Sequence, residues 1–272
     1  MYLSEPQPDQ RPERWDDHVS VYEDVFEPFT LQFAAQAMAQ LGPAAGQKIL
    51  DVGAGSGGAA LALAAQGADV TATDASSNMC TRIAVRARER GLTLAAPVMD
   101  GQALQFADAT FDAALSIFGV ILFPDAVRGL AEMRRVVRPG GRVAVVTWTE
   151  PQAYELAAEL RAAILAIRPD QPIAGLPAQL RYRERHDFEG LFRTAGLEEA
   201  VIETHSAILH APTARWLGHR IGFAPGMAAQ LDGLGTDRGL VVERFVKFLE
   251  ERFGDGDVRL SAKAFVGSAT VP

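Results

Sequence analysis

The chain has 272 residues, of which 48% are hydrophobic and 22% are charged, and its formal net charge is −8. This length and balance are typical of one soluble α/β domain with additions. The acidic balance argues against an extended nucleic-acid surface, which would need a basic stripe. No apolar run approaches the ~18 residues that a membrane span needs, and the polar first residues do not resemble a signal peptide. We therefore expect a cytoplasmic protein without a membrane span.

The first part of the chain predicts a polar tail and a helical cap. Residues 1–14 are rich in proline and glutamine, which is typical of a loose segment. Residues 17–42 predict one or two helices, because their apolar side chains can form one face. Strands and helices then alternate from residue 47 to residue 148, and this alternation predicts a parallel sheet.

A glycine-rich loop follows the first predicted strand. Residues 49–52 are apolar apart from Asp51, residues 53–58 form the turn, and residues 59–65 begin a helix. The glycines permit positive φ and remove Cβ atoms where a ligand approaches, and the amides at the helix N-terminus attract a negative group. Asp51 would repel a pyrophosphate but accept an ammonium. A ligand with both an amino group and a carboxylate therefore fits this loop better than a dinucleotide does.

The next two predicted strands also end in carboxylates. Residues 70–74 predict a second strand that ends in Asp74, which can accept hydrogen bonds from both ribose hydroxyls of an adenosine. Residues 96–101 predict a third strand tip, where Asp100 can accept from the exocyclic amine of adenine. Three successive strands that end in acids predict a row of carboxylates along one edge of a parallel sheet, where such folds bind ligands.

Four stretches, in order and at matching spacing, resemble the Rossmann-like S-adenosylmethionine-dependent methyltransferases. They are residues 51–58, residues 73–78, residues 99–101 leading to Phe111-Asp112, and Arg138-Pro139-Gly140-Gly141-Arg142. The resemblance implies S-adenosyl-L-methionine as the cofactor. It also implies an α/β fold with a doubly wound, mostly parallel seven-stranded sheet, helices on both faces and an antiparallel last strand.

On this basis the chain divides into three parts. Residues 1–44 are the N-terminal tail and helical cap, residues 45–150 the S-adenosylmethionine-binding half, and residues 151–272 the C-terminal half of the same domain. Within the last part, residues 211–253 are expected to form a helical insertion between the last two strands that covers the acceptor.

The secondary structure of the C-terminal half follows from its periodicity. Residues 198–209 and 258–271 predict the last two strands of the sheet. Between them, residues 212–231 and 238–253 predict helices.

The resemblance assigns roles to residues of the predicted cofactor site. Asp51, with the loop residues Gly53 and Gly55, would hold the methionine part. Asp74 would hold the ribose, and Asp100 with Gly101 the adenine amine. A backbone contact of Ser116 to the methionine part is also implied. The predicted cofactor-binding residues are Tyr22, Asp51, Gly53, Ala54, Gly55, Asp74, Ala75, Asp100, Gly101, Gln102 and Ser116.

Within that family, the chain resembles the group that includes the C-methylases of ubiquinone and menaquinone synthesis. The resemblance rests on Trp15, Tyr22, Phe29-Thr30 and Phe118-Gly119. Those enzymes usually continue with an Arg-Asn pair, whereas this chain has Val120-Ile121-Leu122-Phe123. The sequence therefore implies the broader class of small-molecule methyltransferases.

An apolar acceptor is expected from the aromatic residues of the caps and of the ends of the fourth and fifth strands. The predicted partner is a small, mainly apolar or aromatic molecule that is methylated on O, C or N, and the protein is expected to be a monomer or homodimer. The predicted acceptor-pocket residues are Trp15, Phe118, Phe123, Trp148, Trp216 and Phe223.

The histidines are the candidates for a general base, if the acceptor needs one. His18 lies near Trp15 in the cap, and His219 near Trp216 in the insertion. We predict no metal site, because the acids sit on different strand tips without histidine partners and the chain has a single cysteine.

Three alternatives remain open from the sequence. A protein or other macromolecule could be the methyl acceptor. The glycines Gly53, Gly55 and Gly58, with Asp74 downstream, also satisfy the dinucleotide fingerprint of a nicotinamide oxidoreductase. A non-catalytic module that binds the nucleotide is the third alternative.

Overall fold

The structure is a computed structural model that describes residues 5–42, 44–171 and 177–272. Six strands form a single sheet: β1 Lys48–Val52, β2 Asp69–Thr73, β3 Phe111–Ile117, β4 Val137–Trp148, β5 Val201–Ala211 and β6 Val258–Thr270. The described α-helices are α1 Pro12–Trp15, α2 Val19–Val21, α3 Glu27–Leu41, α4 Gly58–Ala65, α5 Ser77–Glu89, α6 Ala126–Val136, α7 Glu155–Ile167, α8 Arg185–Thr194, α9 Ala214–Arg220, α10 Pro225–Asp232 and α11 Arg238–Phe253.

The strand order is β2-β1-β3-β4-β6-β5. Strands β1 to β4 pair in parallel, whereas β6 pairs antiparallel with both β4 and β5. The mostly parallel sheet with an antiparallel last strand is therefore confirmed.

The predicted strand tip at residues 96–101 contributes only isolated bridges beside β2, so the described sheet has six strands and not seven. The amides of Ala95 and Met99 donate to the carbonyl oxygens of Val70 and Asp74. Pro97 stands at the intervening donor position and has no N–H, so a continuous ladder cannot form.

Helices cover both faces of the sheet. On one face, α3 packs across β3, β4 and β6 and buries Phe29 and Phe33. On the other face, α6 and α8 pack together, with Leu130 of α6 and Phe188 of α8 fully buried. The regular alternation of strands and helices that the sequence predicted therefore produces a three-layer core.

The N-terminal segment is not the loose tail that its composition predicted. Residues 8–10 form a 3₁₀ turn that leads into α1, and the Gly226 amide in α10 donates to Asp9 Oδ1 over 2.6 Å. The composition of a polar segment cannot predict a partner that lies more than two hundred positions away in sequence. Residues 1–4 lie outside the described residues.

The insertion between β5 and β6 contains α9, α10 and α11, as predicted, but the predicted helix 212–231 is divided into α9 and α10. The Thr213 hydroxyl caps the first turn of α9 by accepting from the Trp216 amide, and Pro225 begins α10. Within the described ranges, none of the helices has the length and apolarity to cross a membrane. The division of the chain at residues 44 and 150 stays a prediction.

A buried ion pair joins α3, α5 and the glycine loop. Glu27 and Arg86 are 5% and 6% exposed, and Arg86 Nη2 donates to Glu27 Oε2 over 2.6 Å. Glu27 Oε1 also accepts from the Ser56 hydroxyl and from the Gly58 amide, at 2.6 and 2.9 Å. This carboxylate therefore satisfies the first turn of α4 and holds the loop against the cap.

We expect Arg86→Met to destabilise the protein by about 3 kcal/mol, because it leaves the buried Glu27 carboxylate without its countercharge. The matched control is Arg82→Met, which removes a one-third-exposed guanidinium from its pair with Glu23 and should cost about 1 kcal/mol or less. Urea unfolding of both variants measures the difference, and equal losses would contradict the role given to the buried pair.

Candidate functional site

The carboxyl ends of β1 and β2 bring two acidic residues to the same edge of the sheet. Asp51 pairs in register with Ala72, and Asp74 follows the end of β2 directly. Asp100 follows the bridge between Asp74 and Val98 and is exposed. The row of carboxylates that the sequence predicted is therefore present, with the exposed member at its outer end.

Asp51 is buried without compensation. It is 1% exposed, and within the described residues neither of its side-chain oxygens has a hydrogen-bond partner. Burial and the charge of the nearby Asp74 raise the pKa of Asp51 to about 7. The nearby Ala60 backbone amide lowers the pKa of Asp51 in part, although it does not meet the geometry of a hydrogen bond to either carboxylate oxygen. An ammonium group is the natural complement of such a carboxylate, because it supplies both charge and donors.

Asp74 is partly satisfied by the backbone. Its Oδ2 accepts from the Gly55 amide and its Oδ1 from the Ser76 amide, both at 2.9 Å. Burial nevertheless raises the pKa of Asp74 to about 6. Two carboxylate oxygens offer about four acceptor sites, so Asp74 keeps capacity for two ligand hydroxyls while its orientation is fixed by the loop.

The glycine loop adopts the conformation that its sequence requires. Gly53, Gly55 and Gly57 have φ values of +67°, +56° and +88°, which disfavour residues with a Cβ. The loop amides are not free, however. Those of Gly53 and Ala54 donate to the Thr73 carbonyl oxygen. The prediction that amides at the start of α4 attract a ligand anion is therefore wrong for Gly58, whose amide donates to Glu27.

The segment after the Val98 bridge is held by side-chain contacts. Asp100 Oδ1 accepts from the amide and the side chain of Gln102, at 2.9 and 3.0 Å. Gly101 is buried, and a Cβ there would lie 2.5 Å from the Phe123 ring. Ala75 is exposed beside Asp74. These positions leave Asp100, Gln102 and Ala75 accessible to an adenosine group at the edge of the sheet.

Ser116 has a structural role for its side chain. Its hydroxyl donates to the Val52 carbonyl oxygen over 2.7 Å and accepts from the Val120 amide over 2.9 Å. The residue is fully buried. It therefore fixes the turn after β3 against the end of β1, and the predicted backbone contact to a cofactor stays a prediction.

Two cavities lie side by side at this edge. The first, here called the acidic cavity, is lined by Tyr22, Glu27, Thr30, Leu31, Asp51, Gly53, Ala54, Gly58, Ala59 and Ile117. The second, here called the aromatic cavity, is lined by Asp9, Trp15, Phe26, Phe118, Ile121, Leu122, Trp148, Tyr154, Gln179, Phe223, Ala224 and Met227.

Tyr22 separates the two cavities. Its ring makes edge contacts with Trp15 and Phe26, at 5.9 and 5.7 Å between ring centroids. A Cβ on Gly55 would lie 3.2 Å from the same ring, so Tyr22 lies directly against the loop. Burial and the carboxylates of Glu27, Asp74 and Asp51 raise the pKa of Tyr22. This phenol therefore stays protonated and can donate a hydrogen bond.

The aromatic cavity is built on a stack of rings. Trp148 lies between Phe118 and Tyr154, with centroids 4.0 and 4.9 Å away and planes within 18° and 3° of parallel. Phe223 stacks on Phe26 at 4.8 Å. Phe118 holds a φ of +59°, which is uncommon for a bulky residue. The cavity has a volume of about 40 Å³, which is below the range of small-molecule sites, so the rings around it must move apart to admit a ligand.

Two residues predicted for the acceptor pocket lie elsewhere. Phe123 packs against Gly101 and Gly129, on the side of the sheet that is covered by α6. Trp216 lies under the Arg220 guanidinium, which is 4.5 Å from the ring centroid. Phe123 follows β3 and Trp216 lies within α9, and the direction of a side chain in a turn or a short helix is not readable from the sequence.

Neither predicted histidine lines either cavity. His18 Nδ1 lies 2.7 Å from the Arg14 carbonyl oxygen, and His219 is exposed in the last turn of α9. The assignment of these residues as general bases stays a prediction that neither cavity supports, since a base must come within reach of the reacting group. The described residues contain no group of three or more potential metal ligands.

Several residues that shape the site were not predicted from the sequence. Glu27 and Arg86 organise the glycine loop, and Asp9, Phe26 and Tyr154 line the cavities. Glu27 had a readable signal, since a carboxylate beside Phe26 and Phe29 on an apolar helix face requires a partner. Asp9 had none, because it lies in a segment that looks disordered by composition.

Comparison with known proteins agrees with this geometry. Residues 49–141 match the family model described as "Methyltransferase domain". The uncharacterized protein Rv1405c of Mycobacterium tuberculosis is 41% identical over 124 residues, which are 43% of this chain and 45% of that protein. A demethylmenaquinone methyltransferase of Beutenbergia cavernae is 40% identical over 111 residues, which are 41% of this chain and 45% of that protein.

The fold is shared more widely than the sequence. The crystal structure of the [4+2]-cyclase SpnF superposes with a TM-score of 0.59 and 19% identity, covering 98% of this chain and 97% of that one. The chain thus spans somewhat less than half the length of the two sequence relatives but nearly all of this structural neighbour.

The predicted resemblance to the Rossmann-like methyltransferases, including the quinone C-methylases, is confirmed by these matches. Residues 49–141 are thus similar to a methyltransferase domain, and the chain shares the fold of a solved structure over nearly its whole length.

Proposed function

We propose that this protein transfers the methyl group of S-adenosylmethionine to O, C or N of a small, mainly apolar or aromatic molecule. The observation that carries the proposal is the buried Asp51 carboxylate, which has no hydrogen-bond partner in the described structure. A pyrophosphate would add a negative charge beside Asp51 and Asp74, whereas the amino group of S-adenosylmethionine would neutralise one. The family of the matched domain points to the same cofactor.

Asp51 in the acidic cavity and two acids at the neighbouring sheet edge would each hold a different part of this cofactor. Asp51 would accept from its ammonium, and Asp74, already oriented by Gly55 and Ser76, would accept from the ribose. Asp100 at the sheet edge would accept from the adenine amine. When bound, the cofactor supplies a methyl group that its sulfonium has already activated, so the protein's main task is to position the acceptor.

The aromatic cavity is the proposed acceptor site. Its walls include the rings of Trp148, Phe118, Tyr154 and Phe223, which are buried largely against other rings and offer little to a highly charged acceptor. It adjoins the acidic cavity through Tyr22 and through the neighbouring residues Ile117 and Phe118, which line one cavity each. This adjacency supports methyl transfer between ligands held in the two cavities.

The [4+2]-cyclase that shares the fold makes a second candidate worth testing, namely a protein that uses the same scaffold without methyl transfer. Binding and turnover must therefore be measured separately.

Calorimetry should show binding of S-adenosylhomocysteine and no comparable binding of NAD or NADP, and preferential nicotinamide binding would overturn the proposal. Transfer of label from methyl-labelled S-adenosylmethionine to an acceptor from a panel of flat apolar compounds then distinguishes an enzyme from a binding module.

We expect Asp74→Ala to weaken binding of S-adenosylhomocysteine by about 3 kcal/mol or more, because hydrogen bonds to a charged group contribute ~1.5–3 kcal/mol each and two are proposed. The matched control is Asp69→Ala, at the exposed opposite end of the same strand, which should bind normally. Calorimetry on both variants measures the effect. Unchanged affinity in a folded Asp74→Ala protein would remove this residue from the site.

We expect Asp51→Asn to stabilise the ligand-free protein above neutral pH while weakening ligand binding. The pKa of Asp51 in the folded state, about 7, lies above its value of ~3.9 in the unfolded chain. The unfolded chain therefore loses its proton first, and stability falls as pH rises through this interval. The variant lacks that loss, so its advantage over the wild type should grow from pH 5 to pH 8 by about 2 kcal/mol or more.

Thermal or urea unfolding at a series of pH values tests this expectation. A constant difference between variant and wild type across the series would show that the carboxylate does not titrate as its burial implies. Calorimetry with S-adenosylhomocysteine on the same preparations gives the second half of the result, and retained affinity would separate Asp51 from the ligand.

For the acceptor, we expect Trp15→Leu to raise the KM for the acceptor or to lower kcat while the affinity for S-adenosylhomocysteine stays nearly constant. Trp15 is half-buried and lines the aromatic cavity, so the change removes ring area from its wall. Trp216→Leu is the matched control, because that ring lies outside both cavities. Equal effects of the two substitutions on turnover would place the acceptor somewhere other than the aromatic cavity.

A further inference from the structure

Asp9 is the only charged side chain among the described residues that line the aromatic cavity. The other described lining residues are aromatic or aliphatic, apart from Gln179. A carboxylate in such surroundings is costly unless it has partners. Burial raises the pKa of Asp9, and the Gly226 amide and the nearby His18 oppose the rise. The placement of this one acid therefore calls for an explanation.

The contacts of Asp9 explain only part of its placement in the aromatic cavity. Oδ1 accepts from the Gly226 amide in the first turn of α10, and the Asp9 carbonyl oxygen accepts from the Trp15 indole over 3.0 Å. These bonds hold the residue between the N-terminal segment and the insertion. Within the described ranges, Oδ2 accepts no hydrogen bond and no cation pairs with Asp9. One carboxylate oxygen is thus fixed in place and the other is left to accept.

The capping contact alone does not require a carboxylate. An asparagine would accept from the Gly226 amide equally well, since aspartate and asparagine are comparable at helix N-termini. A carboxylate has an advantage over an amide when a second hydrogen-bond donor binds to it, because a hydrogen bond to an ionised group is stronger than a neutral one. The aromatic walls would hold a flat ring, and Asp9 would receive a polar group that the ring carries.

We propose that Asp9 determines specificity by accepting a hydrogen bond from a hydroxyl or amino group on an otherwise apolar, flat acceptor. This inference rests on the proposed function, since it concerns the acceptor site of the same enzyme. It narrows the substrate class from apolar molecules in general to aromatic or other flat molecules that carry a hydrogen-bond donor. A molecule with the same ring whose donor is blocked would be bound more weakly.

The test uses the intact protein saturated with S-adenosylhomocysteine and measures quenching of tryptophan fluorescence by four probes. The probes are 1-naphthol, 1-naphthylamine, 1-methoxynaphthalene and naphthalene. We expect the wild type to bind at least one donor-bearing probe about tenfold or more tightly than 1-methoxynaphthalene, since a charged hydrogen bond contributes on that scale. The better of naphthol and naphthylamine identifies the donor as hydroxyl or amine.

In Asp9→Asn the preference should fall to a few-fold at most, while the melting temperature and the affinity for S-adenosylhomocysteine stay unchanged. Asp24→Asn, at an exposed position of the same N-terminal region, removes an equal charge and should keep the preference. A preference that survives in Asp9→Asn would overturn the inference. So would failure of every probe to bind a protein that still binds S-adenosylhomocysteine. A wild type that does not bind S-adenosylhomocysteine refutes the proposed function itself.

Discussion

A buried carboxylate that has no hydrogen-bond partner in the described part of the chain is the constraint around which this site is organised. Asp51 lies one residue before the end of the first strand and is 1% exposed, and the carboxylate of Asp74 lies close enough to raise its pKa further. Such an arrangement lowers the stability of the ligand-free protein near neutral pH. A cationic ligand bound beside Asp51 would offset this loss of stability, and the amino group of an amino-acid-type cofactor is such a cation.

The surroundings of Asp51 depend on a second carboxylate that is fully satisfied. Glu27 accepts from Arg86, Ser56 and Gly58, and so it connects the N-terminal helix to the loop that a ligand would contact. This connection places Tyr22 against Gly55 and between the two cavities. The glycine loop, the N-terminal cap and the aromatic cavity are therefore connected through these contacts. A substitution at Glu27 is expected to affect both proposed ligand sites.

Much of the fold was predictable because it follows from local rules. The alternation of strands and helices, the Ser76 cap of α5 and the acids at strand ends all depend on a few adjacent residues. The row of acids at the sheet edge was predictable for the same reason, since its members lie at the end of β1, after β2 and after the Val98 bridge, in chain order, and their roles toward a cofactor stay predictions. The short predicted strand near Pro97 shows the limit, because one missing amide reduces it to isolated bridges.

The aromatic cavity was less predictable because its walls come from distant segments. Asp9 reaches the cavity through its contact with Gly226, which no local pattern encodes. Phe123 follows β3 and Trp216 lies in the insertion, as expected, yet neither ring lines the aromatic cavity. Side-chain direction at a turn depends on the packing of its neighbours, and this information is absent from a single sequence.

The measurement that most directly tests this account is the titration of the Asp51 carboxyl by carbon-detected NMR, with and without S-adenosylhomocysteine. In the ligand-free protein we expect the pKa of Asp51 to lie near 7, because burial and the charge of Asp74 raise it. On addition of the ligand we expect this pKa to fall well below that value, because an ammonium favours the ionised form. A pKa that does not move when the ligand is saturating would contradict the claim that Asp51 is the partner of the cofactor's amino group.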